Sequence, residues 1–302
     1  MGFKFTRTAA AALLMAALIA CEDAPRAPIE RNGDPALQPG EHLWSTEDGN
    51  RVPYAVQGDG AVNVLLVHCW MCDRTFWSDQ VPVLSEHYRT IAIDLPGHGE
   101  ATAEREAWTI SGYGADVAGL IEALDLTDVV LVGHSMGGPV SLRAAALAGD
   151  RVRGIVAVDT LHDAEFEFSS EEVQSYFEAF GSNFSQACGN FVEQMFPEEG
   201  VERISNRVRE TSCSEERSEI GMALMKDFGR VDMPRLFAEA AVPIRAINAS
   251  GPNRTEIKTN RKYADFDAVL MDDVGHYLQM TRPRQFNPLL LQTIEEILKE
   301  TR

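Results

Sequence analysis

The stretch Val129-Val130-Leu131-Val132-Gly133-His134-Ser135-Met136-Gly137-Gly138 constrains this chain more than any other part of it. An apolar run rich in β-branched residues reads as a buried strand, and the Gly-His-Ser-Met-Gly that ends it reads as a tight turn. In the spacing Gly133-x-Ser135-x-Gly137 a serine sits on a strained strand-to-helix turn, and the residues two before and two after it must lack bulk. The following Pro139 to Leu147, rich in alanine and leucine, suits a helix whose free N–H groups and positive dipole end point at the serine. His134, beside the serine, points away at such a turn and is read as structural.

Around this elbow the chain alternates between two kinds of segment. Glu41 to Ser45 and Arg51 to Gln57 flank a Glu47-Asp48-Gly49-Asn50 turn and read as an opening antiparallel hairpin. Ala61 to His68, Tyr88 to Asp94, Asp128 to Val132, Val152 to Asp159, Val242 to Ile247 and Asp267 to Met271 read as strands. Helices are expected over Arg74 to His87, Ile110 to Leu124 and Arg282 to Lys299, and a loop followed by a helix from Gly251 to Tyr263. A parallel sheet wrapped by helices follows from that alternation. The alternation breaks at 162–240, a helix-favouring region with a helix start at Ser169-Ser170-Glu171-Glu172, which reads as an inserted helical cap. The core is then 41–161 together with 241–302. A chain of 302 residues with 45% hydrophobic content can bury one large core without a second domain.

The first residues are of another kind. Lys4 and Arg7 precede the apolar run Ala9 to Ala20, too short for a membrane span and typical of an export signal over 1–20. Leu18-Ile19-Ala20-Cys21 resembles the lipobox of bacterial lipoproteins, in which cleavage before the cysteine leaves it acylated. Residues 21–40, with four prolines after Cys21, read as a tether. Met1-Gly2 with Thr6 also fits an N-myristoylation pattern, which the apolar run behind it disfavours. The expectation is a cell-envelope protein, lipid-anchored through Cys21 to a bacterial membrane. Removal of two cations and no anions would take the net charge from -19 to about -21. Such a balance argues against a nucleic-acid partner, since phosphate binding needs clustered Lys and Arg. Export would make the other four cysteines eligible for disulfides. A Cys188–Cys213 bridge would cross-link the cap, worth about 3 kcal/mol. Cys69-x-x-Cys72 lacks the second cysteine pair of a zinc finger and the helix start of a thioredoxin site.

With these residues in view, the chain from about 41 to 300 resembles the α/β-hydrolases with a single cap, a family of esterases, lipases, aminopeptidases and dehalogenases. The Gly133-x-Ser135-x-Gly137 elbow carries the resemblance. Asp94-Leu95-Pro96-Gly97-His98-Gly99 and Val274-Gly275-His276 support it by order and spacing. The resemblance implies a mostly parallel eight-stranded sheet with flanking helices.

It also implies a serine nucleophile, Ser135, served by a histidine base. His276 follows the last expected strand and fits the chain order serine, acid, histidine. His68 and His98 lie on loops near the same rim, before any acid. The acid most often stands after the strand Val242 to Ile247, but here that loop reads Asn248-Ala249-Ser250-Gly251-Pro252-Asn253. A second geometry places it at the end of the strand after the elbow helix, at Asp159, with Asp163 and Glu256 as alternates. The amides of Met136 and Trp70 would form the oxyanion hole. The family's usual His-Gly is His68-Cys69 here, so a positive φ at Cys69 would strain it, and a Cys69–Cys72 bridge could hold it there.

The expected activity is hydrolysis of a small-molecule carboxylic ester or similar acyl bond through an acyl-enzyme, with no metal or cofactor implied. Phe166, Phe168, Tyr176, Phe177, Phe180, Phe184, Phe191 and Phe196 could line a hydrophobic pocket or form cap core. Two rival readings are a binding or scaffold protein with an eroded site, and an aminopeptidase using acidic residues such as Glu171 and Glu172.

Overall fold

The structure, a computed structural model, describes residues 35–167, 169–251 and 254–301. The expected signal 1–20, Cys21, most of the expected tether, Phe168 and Asn253 lie outside the described residues. By Pro35–Leu37 the chain already packs on the body, with Leu37 buried and the Tyr54 hydroxyl donating to Ala36 O at 3.1 Å.

Eight strands make one sheet: β1 Gly40–Ser45, β2 Arg51–Gln57, β3 Asn63–Val67, β4 Arg89–Ile93, β5 Val129–His134, β6 Val152–Val158, β7 Ile244–Ala249 and β8 Phe266–Met271. Their order is β1-β2-β4-β3-β5-β6-β7-β8. Pairings of β1 with β2 and of β2 with β4 are antiparallel, and every pairing from β4 to β8 is parallel. Strands β3 and β5 are buried along their whole length because helices cover both faces of the sheet. Leu65, Val67, Val129 and Leu131 enter the core layer shared with α2 (Ile110–Ala123) and α3 (Gly137–Ala148). Val64, Leu66, Val130 and Val132 enter the opposite layer, closed by the last helix, Pro283–Glu300. The crossover between β4 and β3 sets β5 in the middle, so the carboxyl ends of β3, β5, β6 and β7 form one rim.

The helix expected over Arg74 to His87 is broken. A 3-10 turn spans Arg74–Trp77, capped by Asp73, and a single turn, α1, spans Val81–Leu84. Pro82 lacks an N–H and is tolerated only where a helix starts, so the chain restarts there.

Between β6 and β7 lie α4 Ser170–Ser182, α5 Phe184–Gln194, α6 Glu202–Ser212, α7 Ser218–Phe228 and α8 Met233–Ala240. Helix α8 buries Phe237 and Ala240 in the same core layer as α3. Phe180, Phe184 and Phe191 gather around Trp70, with ring centroids 6.0 to 6.3 Å from it. After β7, the loop and helix expected from Gly251 to Tyr263 hold a single helical turn, α9, Ile257–Asn260. The segment is instead held to the loop after β6, with Glu256 N–H donating to His162 O at 2.8 Å and Asn260 Nδ2 to Leu161 O at 2.8 Å. A single turn, α10 Leu278–Thr281, precedes α11, the helix Pro283–Glu300.

Cys188 of α5 and Cys213, which caps α6, are bridged across 25 positions. Closing a loop of this size restricts the unfolded chain by about 3 kcal/mol. The Cys188→Ala/Cys213→Ala protein is therefore expected to lose about 3 kcal/mol in urea unfolding relative to the oxidised protein, and reductant should have no further effect on this bridge.

Candidate active site

Ser135 follows β5 with a φ of 53°, the left-handed backbone that a nucleophile elbow imposes on a residue with a side chain. Its neighbours explain why the flanking glycines are needed. A Cβ on Gly133 would fall 2.2 Å from Gly137 O, and one on Gly137 would fall 2.4 Å from Val67 O. Helix α3 thus starts hard against β3 and β5, with Met136 at its N-cap.

His276 lies in the loop between β8 and α10, and its Nδ1 donates to Asp159 Oδ2 at 2.6 Å. Asp159, immediately after β6, is thus the carboxylate that meets this imidazole, and its Oδ1 accepts the Ala249 N–H at 2.8 Å. Burial alone would raise its pKa. The hydrogen bond and charge of His276, aided by His162 and the Ala249 amide, outweigh burial and hold the carboxyl below the usual value. With Nδ1 committed to Asp159, Nε2 is the nitrogen left to exchange a proton, and Ser135 and His276 line one cavity. The alternates are placed elsewhere: Asp163 Oδ1 accepts the Glu165 N–H at 2.9 Å, and Glu256 pairs with Arg254 at 3.3 Å.

Asp159 and Leu161 both carry positive φ, 43° and 54°, so the chain around the acid is strained. Two asparagines clamp it. Asn248, where the acid more often stands, accepts the Thr160 N–H and donates to Thr160 O, both at 3.1 Å. Asn260 accepts the Ala164 N–H at 2.8 Å in addition to its bond to Leu161 O. The sequence signal for Asn248 was the missing carboxylate itself; its clamping role required the paired β6 and β7 ends.

The histidine loop is held from two sides. From below, His134 Nε2 donates to His276 O at 2.8 Å, and Gln279 Nε2 donates to His134 Nδ1 at 3.2 Å, which makes His134 structural as expected. From above, Met195 O accepts the His276 N–H at 3.0 Å and Glu198 Oε1 accepts the Gly275 N–H at 3.0 Å. Neither cap contact has a local sequence signature.

Cys69 and Cys72 are bridged across a four-residue turn in which Cys72 N–H donates to Cys69 O at 3.2 Å. The left-handed backbone considered for Cys69 falls on Met71, φ 56°, the third residue of the turn, where such a turn demands it. The Tyr277 hydroxyl lies 4.0 and 3.9 Å from the two sulfurs. Trp70 lines the cavity beside Met136, and its indole Nε1 donates to Gly221 O of α7 at 3.0 Å. Beneath the turn, His68 accepts the Leu95 N–H at Nε2 and donates from Nδ1 to Cys69 O, at 2.9 and 2.8 Å. The Asp94-to-Gly99 motif is structural: buried Asp94 accepts the Arg74 and Glu100 amides at 2.7 and 2.9 Å and pairs with the Arg74 guanidinium.

The cavity above Ser135 measures about 440 Å³, within the range of small-molecule sites. Phe177 and Phe191 of the expected aromatic set line it, and so does exposed Tyr176, whereas Phe180 and Phe184 are buried cap core. Phe196 stacks on Tyr277 at 5.0 Å, and Phe166 is exposed away from the cavity. Among the described residues no group of three or more potential ligands could hold a metal ion.

Residues 62–212 match the alpha/beta hydrolase fold family, and the chain belongs to it. It is 25% identical over 245 residues to the dihydrolipoyllysine-residue acetyltransferase component of the acetoin cleaving system of Pseudomonas putida, covering 79% of this chain. The match spans only 65% of that longer relative. It is also 25% identical over 259 residues to the probable esterase D14L of Oryza sativa subsp. japonica, covering 80% of this chain and 94% of that one. The enol-lactonase of Burkholderia xenovorans LB400 has the same fold, with a TM-score of 0.72 at 20% identity over 84% of this chain and 100% of that one. Family match and structural likeness together place the chain among the alpha/beta hydrolases.

Several histidines beneath the rim are buried and held neutral. Burial, with the neighbouring His276, pushes His134 down to about 3, and burial with nearby His68 pushes His98 well below its ordinary 6.5. A histidine depressed in the folded state leaves the unfolded chain binding more protons below pH 6.5, so stability is lost as pH falls through that window. His134 by itself costs about 1.4 kcal/mol per pH unit below pH 6.5, His98 adds in the same direction, and Asp116, pushed up by burial to about 6, opposes them. The unfolding free energy from urea titration is expected to fall from pH 6.5 to pH 4. A flat profile there would contradict the neutral assignment.

Proposed function

We propose that this protein is a serine hydrolase that cleaves carboxylic esters, or closely similar acyl bonds, through an acyl-enzyme. The observation that carries the reading is the 2.6 Å bond from His276 Nδ1 to Asp159 in a site where Ser135 and His276 line the same cavity. The Ser135 hydroxyl is a poor nucleophile until His276 Nε2 removes its proton during attack on the substrate carbonyl carbon. Asp159 fixes the imidazole tautomer and stabilises the imidazolium that results. The amides of Met136 and Trp70 receive the developing oxyanion. Collapse of the tetrahedral intermediate expels the alcohol, protonated by His276. Water, deprotonated by the same nitrogen, then releases the acid and restores Ser135.

The eroded-site reading has little left to stand on, because Asp159 supplies the carboxylate and Met71 rather than Cys69 takes the left-handed backbone. An aminopeptidase would need carboxylates around the substrate amine, and among the described residues no Asp or Glu lines the cavity.

Fluorophosphonate labelling of the wild type, absent in Ser135→Ala, is the direct test. Labelling that persists in Ser135→Ala, or a folded wild type that never labels, overturns the nucleophile assignment. Asp159→Asn should lower kcat on 4-nitrophenyl esters by about 10³–10⁴-fold, whereas Asp163→Asn and Glu256→Gln should stay within a few-fold.

We further propose that the enzyme works in the cell envelope, tethered by acylated Cys21. The Cys69–Cys72 and Cys188–Cys213 bridges support an oxidising compartment. Radiolabelled palmitate should be incorporated into the full chain expressed in a bacterium and lost in Cys21→Ser; a wild type that takes up no label would count against the anchor.

A further inference from the structure

The walls of the cavity are apolar, but its cap side carries charge of one sign. Lys226, in the last turn of α7, and Arg230, just beyond it, line the same space as Ser135 and His276. No Asp or Glu among the described residues accompanies them there. This is unusual in a chain of 46 acidic and 27 basic residues. Asp227, between the two, is occupied elsewhere: its Oδ2 accepts the Ile110 N–H at 2.7 Å. Elsewhere on the chain several exposed cations are paired, as in Lys262 with Glu165, Lys299 with Glu295 and Arg235 with Glu239. Lys226 and Arg230 have no such carboxylate partner among the described residues. The dipole of α7 accounts for a cation in its last turn. It does not account for a second one past its end, turned to the same cavity.

Position completes the argument. Ser135, Met136, His276 and Trp70 belong to the sheet rim, whereas Lys226 and Arg230 belong to the cap. Phe177, Phe191, Met222 and Met225 of the cap line the same cavity as these two groups. A molecule filling the cavity with its reactive carbonyl at Ser135 therefore meets an apolar wall and, on the cap side, two unpaired cations. A net charge of -19 would otherwise repel an anion, so local cations are needed if one is to enter.

We propose that the natural substrates are esters bearing a carboxylate at the end remote from the scissile bond, with an apolar chain between, and that Lys226 and Arg230 receive the carboxylate. This rests on the ester-hydrolase reading and adds the substrate class. Arg230 offers a planar fork suited to a carboxylate, and Lys226 a mobile point charge.

The test compares 4-nitrophenyl hexanoate with the mono-4-nitrophenyl ester of adipic acid, which share chain length and leaving group and differ in the terminal carboxylate. The wild type should show kcat/KM about tenfold higher for the anionic ester, mostly through KM, with the excess shrinking as KCl rises from about 20 mM to about 500 mM. In Lys226→Gln/Arg230→Gln the ratio of the two esters should fall to within about twofold of one. Because the ratio is taken within one protein, general damage to folding or chemistry cancels. Lys258→Gln, an exposed site on α9 outside the cavity, should keep the wild-type ratio. Equal or poorer use of the anionic ester by the wild type, or an excess that survives the double substitution, overturns the proposal. If the wild type turns over neither ester, the hydrolase reading fails. The anion reading is then decided by calorimetry on Ser135→Ala with monoethyl adipate and ethyl hexanoate: about tenfold tighter binding of the anion supports it, and equal binding overturns it.

Discussion

The close seating of α3 against the end of β5 is the constraint on which the rest of this molecule depends. Gly133, Gly137 and Gly138 each stand where a Cβ would come within 2.2 to 2.4 Å of a neighbouring atom, the last against Thr160 beside the acid. That seating forces Ser135 into left-handed backbone, brings the helix N-terminus under it, and draws the ends of β3 and β6 in on either side. The serine is exposed to the cavity because the backbone around it has no room for anything else.

The meeting of Asp159 with His276 is a consequence of strand adjacency. Strands β5, β6 and β7 are consecutive in the sheet, so a carboxylate leaving β6 or β7 can reach the same imidazole. Here the penultimate residue of β7 is Asn248, whose amide has the acceptor and the donor needed to pair with the backbone of Thr160. A carboxylate at that position could accept but not donate. The asparagine thus secures the strained loop on which Asp159 is carried, and positive φ at an aspartate is better tolerated than at most residues.

The cap does more than roof the cavity. Met195 O and the Glu198 carboxylate hold the amides of His276 and Gly275, and Trp70 ties the disulfide-closed turn to α7. The His276 loop and the Cys69–Cys72 turn are therefore both fastened to the helical insertion. Pocket shape and alignment of the chemistry are coupled through a handful of hydrogen bonds.

Much of this was legible in the sequence. Apolar runs marked the strands, the elbow marked Ser135, and chain order marked His276 and nominated Asp159, because each of these rests on local steric demands or on the fixed order of elements. The helix boundary near Pro82 was misread, since the chain there restarts at a residue that lacks an N–H rather than following its own periodicity. Sequence by itself determined the fold, the elbow and a short list of acids. Only the tertiary structure decided that Asp159 rather than Asp163 or Glu256 meets His276, that Met71 rather than Cys69 carries the turn's left-handed residue, and that two cations of the cap line the same cavity as the serine. Those outcomes depend on distances across 117 positions or between cap and core, and residue order does not encode them locally.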